Sequence, residues 1–151
     1  MRQIIYFLIL SLFLVKCDNK EPKFDFNNPQ PVEFGDPYIF KASDGIYYMI
    51  GTGGVTDGFK MYTSTDLINW KDQGRIYQGN LENSWGVANF WAPELYEIEG
   101  KYYLLFSADW RNNPTNELEN FRIGVAVSDS PTGPYEDLYN RPIFDPGYPV
   151  I

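Results

Sequence analysis

The chain has 151 residues, room for one ordinary domain, and its 44% hydrophobic and 18% aromatic content is enough to bury a core and excludes a disordered chain. A net charge of −8 argues against nucleic acid, whose phosphates need clustered Lys and Arg. The absence of His removes His-dependent triads and most zinc sites, and the lone Cys17 excludes an internal disulfide.

Residues 1–17 read as an export signal. Arg2 is followed by an apolar run from Ile4 to Val15, too short for a spanning helix, which needs about 20 residues. The ending "LVKC" is similar to the lipobox of bacterial lipoproteins, which makes Cys17 the expected lipidation site, although Lys16 stands where a small residue is usual. Residues 18–30 are polar and read as a tether. The remainder, 31–151, carries the fold.

The first predicted strand opens on "GDPYIF", Gly35 to Phe40. Pro37 gives up a ladder hydrogen bond, which suits a strand's start or an edge, and it biases Asp36 toward extended backbone. Strands are predicted over Tyr38–Phe40, Ile46–Gly51, Phe59–Thr63 and Trp70–Arg75, with Asp44-Gly45 as a two-residue hairpin turn. The pattern then repeats. "DPYIFKASDGIYYMIGT" aligns with "APELYEIEGKYYLLFSA", and "FKMYTSTDLINW" with "IGVAVSDSPTGPY". The second set is expected over Leu95–Glu97, Tyr102–Ser107, Ile123–Val127 and a poorly defined stretch after Tyr135. Four antiparallel strands per repeat describe a propeller blade, so an all-β fold with two blades is expected. "RPIFDPGYPVI" reads as the lead-in to another unit, and the chain is expected to be part of a longer propeller.

Together these motifs, from "GDPYIF" through "YTSTDLINW" and "NFWAPELYEIEGKYYLLFSA" to "IGVAVSDSPTGPYED", resemble the family 43 glycoside hydrolases. The resemblance implies a five-bladed β-propeller that cleaves arabinose or xylose linkages of plant polysaccharides with inversion of configuration. It implies that Asp36 is the general base. The Asp that tunes the acid and the general acid Glu have no match here, so the 151 residues alone are expected to give no turnover. Trp91 and Phe90 are implied as a wall of the sugar subsite, with Asn89, Trp85 and Trp110 on loops flanking the same channel end. Glu94 reads as a structural or rim residue, Trp70 and Tyr135 as core, and Asp44, Asp66 and Asp129 as turn formers.

No cofactor is expected; calcium in a longer protein would need oxygen ligands that cannot be identified here. The expected partner is an arabinan- or xylan-type glycan, with membrane contact only through a lipid on Cys17 and an exported, envelope location. A second reading stays open: a surface propeller lipoprotein that captures glycans without cleaving them.

Overall fold

A computed structural model describes residue 30, residues 32–112 and residues 121–144. Cys17, the signal and most of the tether lie outside the described residues, as does the end of the lead-in at 145–151. Eight strands form two four-stranded antiparallel sheets with neighbours in chain order. The first holds β1 (Gly35–Lys41), β2 (Tyr47–Thr52), β3 (Gly58–Ser64) and β4 (Lys71–Gln78). The second holds β5 (Gly86–Ile98), β6 (Lys101–Trp110), β7 (Phe121–Ser128) and β8 (Glu136–Asp137). The strand order and the repeat are those expected of two successive blades.

Local chemistry explains the turns. The first hairpin has three loop residues rather than the two expected. Gly45 N–H bonds to Ala42 carbonyl at 3.0 Å, and Gly45 then sits at φ 83°, the left-handed bulge position of a three-residue loop. Asp44 caps it by accepting from Ile46 N–H at 2.8 Å. The matching hairpin of the second sheet does close in two residues: Ile98 pairs with Lys101, and Glu99 and Gly100 both have positive φ, as a type I′ turn requires. Asp66 accepts from the backbone N–H and side-chain amide of Asn69 and from the N–H of Ile68, and these bonds hold its carboxyl well below the usual carboxylate range.

The core lies between the sheets. Phe59, Met61, Ile50, Ile76 and Tyr77 of the first meet Leu95, Leu104, Phe106 and Ala126 of the second, all buried. Phe106 is the hub, with ring centroids of Phe59 at 5.3 Å, Tyr77 at 4.8 Å and Trp85 at 5.5 Å. Burying each such side chain contributes roughly 1.5–3 kcal/mol. Tyr135 is core as expected, and its N–H reaches across to Ile76 carbonyl at 2.8 Å. Trp70 is not. It is half-buried, and its indole N–H donates to Leu67 carbonyl at 3.2 Å, closing its own turn instead of filling the interface.

Polar ties fix the sheets at both ends of the inner strands. Ser43 donates to Glu97 from its N–H (2.8 Å) and its hydroxyl (2.5 Å) at one end. Ala92 N–H donates to Thr52 Oγ1 at 2.9 Å at the other. Strands β1 and β5 therefore run side by side in the same direction.

Candidate active site at the head of the inner strands

Strand β1 does not start as expected. Asp36 has φ 45°, in the left-handed region, rather than the extended backbone that a following proline favours. The register gives the reason. Gly35 pairs with Thr52 and Tyr38 with Ile50, so one extra residue is inserted in β1. Such a bulge lifts a residue out of the ladder and re-aims its side chain. A non-glycine residue held left-handed costs about 1–2 kcal/mol and persists only where the surroundings enforce it.

The carboxylate so displaced has one described hydrogen-bond partner: Asp36 Oδ2 accepts from the Thr52 hydroxyl at 3.2 Å. Thr52 in turn accepts from Ala92 N–H. Asp36 shares a shallow cleft of about 220 Å³ with Pro37, Tyr38, Ala92, Pro93 and Glu94, where the bulge at the start of β1 meets the matching bulge midway along β5. Glu94 is on the rim, exposed, and accepts a short hydrogen bond from Tyr96. That bond, more than burial, pushes the Tyr96 phenol up to about 12.

The aromatic candidates separate into two groups. Trp91 is 39% exposed next to Ala92, and Phe121 backs its ring at 4.6 Å in a stacked arrangement. One ring face is thus rigidly supported on protein. Phe90 and Trp85 are corrections: both are buried in the inter-sheet core and cannot present a ring to a sugar. A Cβ on Gly79 would stand 2.2 Å from Phe90 Cζ, and one on Gly124 would stand 2.0 Å from Trp85 Cζ2. These two glycines make room for the two rings. Trp85 also donates its indole N–H to Asp137 at 3.1 Å.

Asn89 and Trp110 lie on strands, not loops, since β5 and β6 extend beyond the predicted limits. Asn89 has φ 51° and donates its amide to Asp109 Oδ2 at 2.8 Å. Asp109 was not singled out by sequence. Its other oxygen is buried without a hydrogen-bond partner among the described residues. Asp129 forms an exposed ion pair with Lys101 at 2.7 Å rather than organising its turn. Among the described residues no group of three or more Cys, Asp and Glu is close enough to hold a metal ion.

A carboxylate on a strained bulge, an open cleft and a backed tryptophan thus come together where β1 starts beside the middle of β5, on two consecutive four-stranded blades of a propeller-type fold. Residues 26–149 match the sequence profile of glycosyl hydrolases family 43, and the chain belongs to that family. It is 34% identical over 89 residues to an extracellular exo-alpha-(1->5)-L-arabinofuranosidase of Streptomyces avermitilis, covering 58% of this chain and 18% of that protein. It is 32% identical over 112 residues to a protein named probable arabinan endo-1,5-alpha-L-arabinosidase C of Aspergillus clavatus, covering 70% and 33%. The crystal structure of an endo-arabinase from Bacteroides thetaiotaomicron superposes with a TM-score of 0.65 at 32% identity, covering 78% of this chain and 38% of that one. The chain thus spans a third or less of the length of these two relatives.

Proposed function

We infer that this chain contributes two blades of an exported glycoside hydrolase acting on O-glycosyl bonds of arabinose- or xylose-containing plant polysaccharides. Arabinan is favoured, because both relatives and the superposed structure carry arabinan or arabinose names. Asp36 is the general base. It takes a proton from a water, whose oxygen attacks the anomeric carbon from the face opposite the leaving group. A separate carboxylic acid, about 6.5–9.5 Å away, protonates the departing oxygen. Glu94 is engaged by Tyr96 at the rim, so the acid is assigned to residues outside those described. Trp91 is the apolar wall against which a sugar's C–H face lies, and Asn89 borders the same end.

The observation that carries this reading is the carboxylate of Asp36 in the cleft. The same left-handed bulge before proline recurs at Ala92, and of the two only Asp36 presents an acid to the cleft that Pro37, Tyr38 and Glu94 line. An exported enzyme fits the extracellular relative, and lipidation at Cys17 would hold it at the envelope. The test is hydrolysis of arabino-oligosaccharides and aryl xylosides by the complete enzyme carrying this segment. Asp36→Asn should abolish release while leaving the melting temperature unchanged. Wild-type release by that variant would overturn the assignment. Fatty-acid labelling that survives Cys17→Ala would remove the anchor from the account.

A further inference from the structure

We propose that Thr52 is the positioning residue of the site: it tethers Asp36 Oδ2 and leaves Oδ1 as the oxygen that takes the proton. This rests on the reading of Asp36 as the base.

The polarity of the tether follows from donor and acceptor inventory. Ala92 N–H can only donate, and it points at Thr52 Oγ1 at 2.9 Å, so the hydroxyl must accept there. Its single hydrogen is then committed to the acceptor at 3.2 Å, Asp36 Oδ2. The result is a directed chain from the backbone of the second sheet, through Thr52, to the carboxylate of the first. The β-branched side chain of Thr52 has restricted χ1, and its backbone is held in β2 opposite Gly35. The hydroxyl is therefore a fixed point, and the carboxylate on the bulge is oriented against it. The repeat supplies an internal control. Ser107 is the register equivalent of Thr52, since Trp91 pairs with Ser107 as Gly35 pairs with Thr52. Ser107 donates instead to the Trp91 carbonyl at 3.3 Å, because the position equivalent to Asp36 is Ala92 and offers no carboxylate. The hydroxyl recurs in both sheets, and only in the first does it meet an acid.

Two readouts test the tether. In isotopically labelled protein, the Ala92 amide and the Asp36 carboxyl carbon are followed together as pH passes through the carboxylate range. Glu94, Tyr38 and Tyr96 are the other titratable groups at this end, so the Glu94→Gln background separates their contributions. The Ala92 amide is expected to follow the Asp36 titration curve. Thr52→Ser preserves the coupling, and Thr52→Val leaves Asp36 titrating but the Ala92 amide still. An amide that follows Asp36 in Thr52→Val, or that ignores it in the unsubstituted protein, overturns the tether. In turnover by the complete enzyme, Thr52→Val lowers kcat by roughly tenfold to a hundredfold with KM nearly unchanged, and Thr52→Ser recovers most of it. Equal kcat for the valine variant overturns the positioning role. The base assignment fails separately, if Asp36→Asn retains turnover while the amide coupling holds in the unsubstituted protein.

Discussion

The bulged head of β1 and its counterpart, the second head of the site midway along β5, are the same backbone device used twice. Each has a residue in the left-handed region immediately before a proline, Asp36 at φ 45° and Ala92 at φ 45°. Each follows the same one-residue slip against its neighbour, from Gly35 to Tyr38 in one and from Trp91 to Glu94 in the other. Each is faced by a hydroxyl, Thr52 or Ser107. What differs is the side chain on the bulge: a carboxylate in the first and a methyl in the second. The bulge is therefore part of the scaffold, shared by both sheets, whereas the carboxylate stands at a single position on it. Ala92 retains one use in the site, since its N–H holds the Thr52 hydroxyl in place.

The largest expected effect comes from making the two heads alike. Asp36→Ala turns the first into a copy of the second, and turnover by the complete enzyme should fall by roughly 10²–10⁴, the usual contribution of a positioned base. Adding Ala92→Asp should not restore it, because that carboxylate stands on the neighbouring strand. Recovery in the double variant would show that the two heads are interchangeable. Next is the shared scaffold. Phe106→Ala removes the ring that Phe59, Tyr77 and Trp85 pack against and should cost about 3–5 kcal/mol in chemical denaturation. A loss near that of a surface substitution would mean that the sheets do not depend on this interface.

A smaller effect is expected from Asp137, which joins the outer strands of the two sheets by accepting from Tyr77 at 2.9 Å and Trp85 at 3.1 Å. Burial raises its carboxyl above the usual value, partly opposed by those two donors. The folded state then holds the proton more tightly than the unfolded chain. Stability falls as pH rises from about 3.8, the unfolded value, through the raised folded value. Asp137→Asn should remove that component, so its melting temperature should decline less than that of the unsubstituted protein across this window. Parallel curves would rule the group out. The smallest effect is at Ala92. Glycine tolerates φ 45° without the left-handed penalty of about 1–2 kcal/mol but adds an unfolded-state entropy cost of about 0.5–1 kcal/mol. Ala92→Gly should therefore stabilise by about 1 kcal/mol or less, and a clear destabilisation would contradict the strain at this position.

Much of this was legible in the sequence, because the repeat fixed the strand order and the Asp-Pro dipeptide marked Asp36. Several features were not. The bulge is set by how β1 pairs with β2, and proline alone argued for the opposite backbone at Asp36. The extra length of β5 was hidden because its exposure pattern slips at each bulge and shows no simple alternation. Phe90 and Trp85 could not be told from Trp91 by residue type. Their burial depends on Gly79 and Gly124, which are distant in sequence and leave space only once the sheets meet. Thr52 was not legible either: the two-residue turn expected at Asp44-Gly45 would set it opposite Pro37, and only the longer loop and the bulge bring it beside Asp36.

The most direct measurement of the base assignment is chemical rescue of Asp36→Gly in the complete enzyme, a substitution that suits the left-handed backbone. Without the carboxylate, attack by water should all but stop. Added azide, a nucleophile that needs no base, should restore release and yield a glycosyl azide of inverted configuration. Undiminished hydrolysis by Asp36→Gly, or an azide product of retained configuration, would contradict the account.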